Sequence, residues 1–97
     1  MDVNMISHAK QKVKEGKLVK VEVEYNKSIT KLRITGDFFL HPEDILEKIE
    51  QSLTGLEKDV SEEAIASKIR QIAKAHDAQM IGISPGSLAH VIREALK

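Results

Sequence analysis

The stretch from Leu18 to Tyr25, "LVKVEVEY", alternates without a break: Val19, Val21, Val23 and Tyr25 fall on one side of an extended chain, Lys20, Glu22 and Glu24 on the other. Side chains along a strand point to opposite faces in turn, so this pattern fits a strand with one face in a core and one in water. Such a strand needs neighbours. Asn26 to Ser28 supply turn formers, and "ITKLRITG" (29–36) then carries Leu32 and Ile34 on alternate positions, which predicts an antiparallel hairpin. Ile29 breaks the parity and predicts a bulge or an irregular start. Upstream, Glu15-Gly16 predicts a turn and residues 8–14 a polar edge strand. Lys10, Lys12 and Lys14 share one of its faces, a pattern that guards an edge against pairing with other chains and outweighs a phosphate-binding reading.

Helices are expected downstream. Pro42 suits a first helical position, Glu43 and Asp44 suit the positive end, and Ile45, Leu46, Ile49 and Leu53 form one apolar stripe before Gly55 closes it. Ser61 suits the cap of a second helix, with Val60 and Ile65 at staple spacing and Ile65, Ile69, Ile72 and Ala73 along its inner face. A third begins at Ser84-Pro85 and buries Leu88, Val91, Ile92, Ala95 and Leu96. Between the last two, "AQMIGI" (78–83) fits either a fourth strand or a buried connection. Strands followed by helices predict an α+β two-layer sandwich, an antiparallel meander of about three strands with about three helices on one face.

At 97 residues the whole chain, 1–97, is expected to form one domain, of a size at which a core alone is modestly stable. With 41% hydrophobic residues and no net charge it reads as globular rather than disordered. Residues 1–40 hold eight Lys/Arg against five Asp/Glu and residues 41–63 two against eight, a polarity that reads first as two solvated faces. The absence of cysteine excludes thiol nucleophiles, disulfides and Cys-ligated metals, and with them an iron-sulfur or sulfur-transfer scaffold. No apolar run approaches the roughly 20 residues of a membrane span, and the N-terminus has no signal-peptide core, so no membrane partner and a cytoplasmic location are expected.

The search for chemistry is mostly negative. There is no phosphate-binding glycine loop, HExxH or GxSxG. His8, His41, His76 and His90 match no metal spacing, and His76 reads as a cation near a helix C-terminus. "SPGS" (84–87) offers free N–H groups to an anion, but capping explains it as well. Glu43, Asp44, Glu62 and Glu63 read as helix-end electrostatics rather than a catalytic carboxylate pair. No catalytic, cofactor-binding or metal residue is expected. Neutral charge and 3% aromatic content argue against nucleic acid, although Lys10, Lys12, Lys14, Lys17 and Lys20 keep a small protein- or nucleic-acid-binding module as the alternative.

Both phenylalanines lie in "ITGDFFLHPEDI" (34–45). Gly36 permits a turn or close backbone approach, and Asp37 suits bonding to nearby backbone N–H groups. Phe38 and Phe39 point to opposite sides of an extended segment, one to the core and one outward as a protein anchor. Gly36, Asp37, Phe38 and Phe39 are therefore the candidate partner-binding residues.

With the upstream Gly16-Lys17-Leu18, the pattern Ile29-x-x-Leu32-x-Ile34-x-Gly36-Asp37-Phe38-Phe39 and the apolar helix positions Ile45, Leu46 and Ile49, the chain resembles the C-terminal accessory domain of lipoate-protein ligases. The resemblance implies a separate small subunit that forms a heterodimer with a catalytic large subunit and supports ATP-dependent activation of lipoate to lipoyl-AMP. It implies ATP, Mg and lipoate on that partner subunit and none on this chain alone. The lipoyl-acceptor protein, an oxo-acid dehydrogenase or glycine cleavage component, is implied as an indirect partner. No catalytic residue carries over, because the family's lipoate-binding and catalytic lysine segments have no counterpart here.

Overall fold

The computed structural model describes residues 3–96. Strands β1 (Met5–Lys12), β2 (Leu18–Tyr25) and β3 (Ile29–Gly36) form an antiparallel meander in the order β1-β2-β3. Helices α1 (Ile45–Leu53), α2 (Glu62–Ala75) and α3 (Pro85–Ala95) supply the second layer. Two short strands, β4 (Phe39–His41) and β5 (Gln79–Ile81), make a separate antiparallel pair. The α+β reading therefore holds, and residues 79–81 form a strand.

The alternation of β2 places Val19, Val21 and Val23 in the core with Tyr25 at its rim. Facing them are Ile45, Ile49 and Leu53 of α1, Ile65 and Ile69 of α2, and Leu88 and Ile92 of α3, all fully buried. Each such side chain contributes about 1.5–3 kcal/mol through its removal from water. The predicted bulge is present: Glu24 faces Lys31 but Tyr25 faces Ile29, leaving Thr30 as the extra residue. The Thr30 hydroxyl donates to the Glu24 carbonyl at 2.9 Å. This shift returns Ile29 to the inner face, where it is 1% exposed.

β3 is an edge strand, and α1 with the loop after it takes up part of its outward backbone. Glu50 accepts the Ile34 N–H at 2.7 Å, Gly55 donates to the Ile29 carbonyl at 2.8 Å, and Ile29 donates to the Leu56 carbonyl at 2.8 Å. The chain thus covers this edge at Ile29 and Ile34 with its own polar groups.

Several boundaries differ from expectation. The edge strand runs from Met5 to Lys12 rather than over 8–14, so Lys14 lies outside it, and Val13 turns inward at 5% exposure. Pro42 and Glu43 precede α1, and Asp44 is its N-cap without a side-chain capping bond. The chain first makes a turn in which Ile45 N–H donates to the Pro42 carbonyl at 3.1 Å, so proline rigidifies the approach rather than the first helical turn. On α2, Ile72 and Ala73 are only half-buried and Ala66 takes their place in the core, where the helix packs against α1 and α3. Glu62 and Glu63 do occupy the first turn of α2, and His76 caps its C-terminus.

Candidate functional site

At the end of β3 the backbone passes so close to the start of β2 that a side chain on Gly36 would meet the Leu18 carbonyl oxygen, and the Phe38 ring at 2.8–2.9 Å. That same oxygen accepts the Asp37 N–H at 3.1 Å. Gly36 is therefore needed for close approach rather than for an unusual dihedral angle. Asp37 makes the turn through its backbone; its carboxylate is exposed and bonds no nearby N–H group, contrary to expectation.

The two phenylalanines part as alternation requires. Phe38 is half-buried and packs against the core, while Phe39 opens β4 with 69% of its surface exposed. Its cross-strand neighbour is Ile81, itself 55% exposed. Directly opposed residues of an antiparallel pair share a face, so Phe39 and Ile81 form one outward apolar pair. Leu40 and Met80, the next pair, turn inward against the core.

The loop between β1 and β2 completes the corner. Gly82, at φ +87°, leaves the space in which the Lys17 methylenes lie. Lys17 and Leu18 thus touch Gly82 and Gly36 respectively, so residues far apart in sequence meet at one end of the sheet. Sequence reasoning missed Ile81, whose three-residue strand is too short to show a period; Gly82 beside it was the available signal of a tight backbone contact.

The "SPGS" segment is committed to its own helix. Ser84 accepts the Ser87 N–H at 3.2 Å, and Ser87 accepts the Ser84 N–H at 3.0 Å, a reciprocal capping box. Burial pushes the Glu15 carboxyl up, but hydrogen bonds from Ser84, its own backbone and Ser87, with the charge of Lys14, outweigh it and leave the pKa below the ordinary value. The α3 N-terminus is thus occupied by its own capping serines. Nearby, His90 Nδ1 lies 3.0 Å from Glu62, tying α3 to the start of α2, and Nε2 lies 3.6 Å from Glu94 one turn along α3 itself. Among the described residues, no group of three His, Asp or Glu is placed to hold a metal ion, and no helix is long and apolar enough to cross a membrane.

A corner of this kind offers apolar contact area and a shaped backbone, with no acid-base or nucleophilic pair. The family described as "Bacterial lipoate protein ligase C-terminus" matches residues 6–92. Among curated proteins none matches the chain. Among solved structures, the chain is similar to one from a study of an archaeal lipoylation system, a bi-partite lipoate protein ligase and its E2 lipoyl domain from Thermoplasma acidophilum. The two are 26% identical with a TM-score of 0.77, and the match covers 94% of this chain and 98% of that one.

Proposed function

The chain belongs to the family of bacterial lipoate protein ligase C-terminal domains, and from that premise we propose that it is the small, non-catalytic subunit of a two-chain lipoate protein ligase. It docks on a catalytic large subunit as a heterodimer and supports ATP-dependent activation of lipoate to lipoyl-AMP. ATP, Mg and lipoate bind to the large subunit. The observation that carries this reading is the end-to-end match to a chain of a bi-partite ligase system, with 98% of that chain covered.

The docking surface is the corner built from Gly36, Asp37, Phe38 and Phe39, extended by Ile81. Phe38 anchors the corner to the core, Gly36 fixes its backbone, and Phe39 with Ile81 presents apolar area to the large subunit. Aromatic side chains that are rigidly held and left exposed are well suited to act as interface anchors. Docking promotes activation by ordering a loop of the large subunit around its substrates, supplying preorganisation rather than functional groups. The same contact shields the mixed anhydride from water.

The test is the rate of lipoyl-AMP formation by the cognate large subunit, measured with and without this chain and with no acceptor present. A marked increase on addition is expected. Equal rates would sink the proposal.

A further inference from the structure

Helices cover one face of the three-stranded sheet, and the other face is open. Its residues follow from the register: Ile6, His8, Lys10 and Lys12 on β1, Lys20, Glu22 and Glu24 on β2, and Lys31, Arg33 and Thr35 on β3. Five cations thus share the face with two carboxylates. Both carboxylates are already engaged, Glu22 by His8 at 3.5 Å and Glu24 by the Asn4 side chain at 3.0 Å. None of the five cations has a side-chain hydrogen bond or ion pair among the described residues.

The arrangement is costly at one point. Lys10 and Lys20 are direct cross-strand partners, with Thr35 completing the row, so two like charges oppose each other without an intervening acid. They line a shallow groove of about 310 Å³ together with His8, Glu22, Arg33 and Thr35. Guarding the sheet edge accounts for Lys10 and Lys12 on β1. It does not account for Lys20, which lies on the central strand, nor for Arg33 beyond it.

We propose that this open face docks an acidic surface of the protein that accepts the lipoyl group. The inference rests on the functional reading above. A lasting subunit contact favours apolar area, which the Phe39–Ile81 corner supplies. A protein substrate must arrive and leave in every turnover, and charge speeds its encounter without holding it. The partner is a protein surface rather than a nucleic acid, because Glu22 and Glu24 interrupt the cations and would repel a continuous phosphate backbone. A protein face meets both signs by placing carboxylates on Lys10, Lys12 and Lys20 and donors on Glu22 and Glu24.

The experiment uses the two-chain ligase carrying Lys10→Glu and Lys12→Glu in this chain. The fold is retained because the new Glu at position 10 faces Lys20, and far-UV circular dichroism checks it. Transfer to the cognate E2 lipoyl domain is followed against lipoyl-domain concentration at low and high salt, alongside lipoyl-AMP formation without acceptor. The acceptor KM is expected to rise about ten-fold at low salt, with wild type and variant converging as salt screens the contact. Lipoyl-AMP formation stays unchanged, and a Lys10→Arg, Lys12→Arg variant keeps the wild-type KM. An acceptor KM within two-fold of wild type overturns the proposal. So does a parallel fall in lipoyl-AMP formation, which would place the large subunit on this face. A wild-type chain that fails to stimulate lipoyl-AMP formation at all overturns the functional reading instead, and this proposal with it.

Discussion

Replacing Phe39 by alanine tests the proposed docking corner separately from folding. The side chain is 69% exposed, so the isolated chain loses little when it is truncated. A phenylalanine carries roughly 200 Å² of surface, which leaves about 140 Å² to be taken out of water by a partner. At about 25 cal/mol per Å² that area is worth about 3.5 kcal/mol. Ordering of the ring and imperfect packing offset part of it, so about 2 kcal/mol should be lost from the complex, or about thirty-fold in Kd. Phe38 is the internal control. It packs half-buried against the core, and Phe38→Ala should cost the isolated chain about 2 kcal/mol in stability. Calorimetric titration of the catalytic subunit with each variant, and urea unfolding of each variant alone, measure both quantities. The reasoning fails if Phe39→Ala binds within two-fold of wild type, or if it unfolds as easily as Phe38→Ala.

Gly36→Ala should destabilise the chain by about 2–3 kcal/mol, since the new methyl group would overlap the Leu18 carbonyl that accepts the Asp37 N–H; an unchanged urea midpoint would contradict this. Glu15 has a folded pKa below its unfolded value near 4.5, so its stabilising contribution is present above that value and is lost as pH falls through the lower, folded pKa. Glu15→Gln should therefore be less stable than wild type at neutral pH, and the two should converge in acid; a gap that is constant with pH would refute the assignment. Lys10→Glu converts the like-charged pair with Lys20 into an opposite pair and should stabilise the isolated chain by about 0.2–1 kcal/mol. A loss of stability on thermal unfolding would count against the view that this pair is kept for binding.

Local signals were legible in the sequence. Ser61 and Ser84 cap helices as their surroundings suggested, Ile29 announced the bulge, and the valine alternation of β2 set the inner face of the sheet. What escaped depends on register or on distant contacts. Pro42 follows a rule for helix starts, yet here the chain spends three residues on a turn before the helix begins. Glu50 looks like any charged helix residue until α1 is laid along β3, where its carboxylate takes the Ile34 N–H. Ile81 becomes part of a surface only when β5 pairs with β4, some forty residues upstream. The Lys10–Lys20 juxtaposition likewise exists only once β1 and β2 are aligned, whereas in sequence the lysines read as edge protection. The phenylalanine pair was the exception, because adjacent positions in extended backbone must diverge.

The most direct test of the subunit's role is a titration of this chain into a fixed amount of the catalytic subunit, with lipoyl-AMP formation as the readout. The rate should rise and saturate at one chain per catalytic subunit, and Phe39→Ala should need roughly thirty times more chain to reach the same plateau. A rate that stays flat across the titration, or one that rises identically for wild type and Phe39→Ala, would contradict a docked accessory subunit acting through this corner.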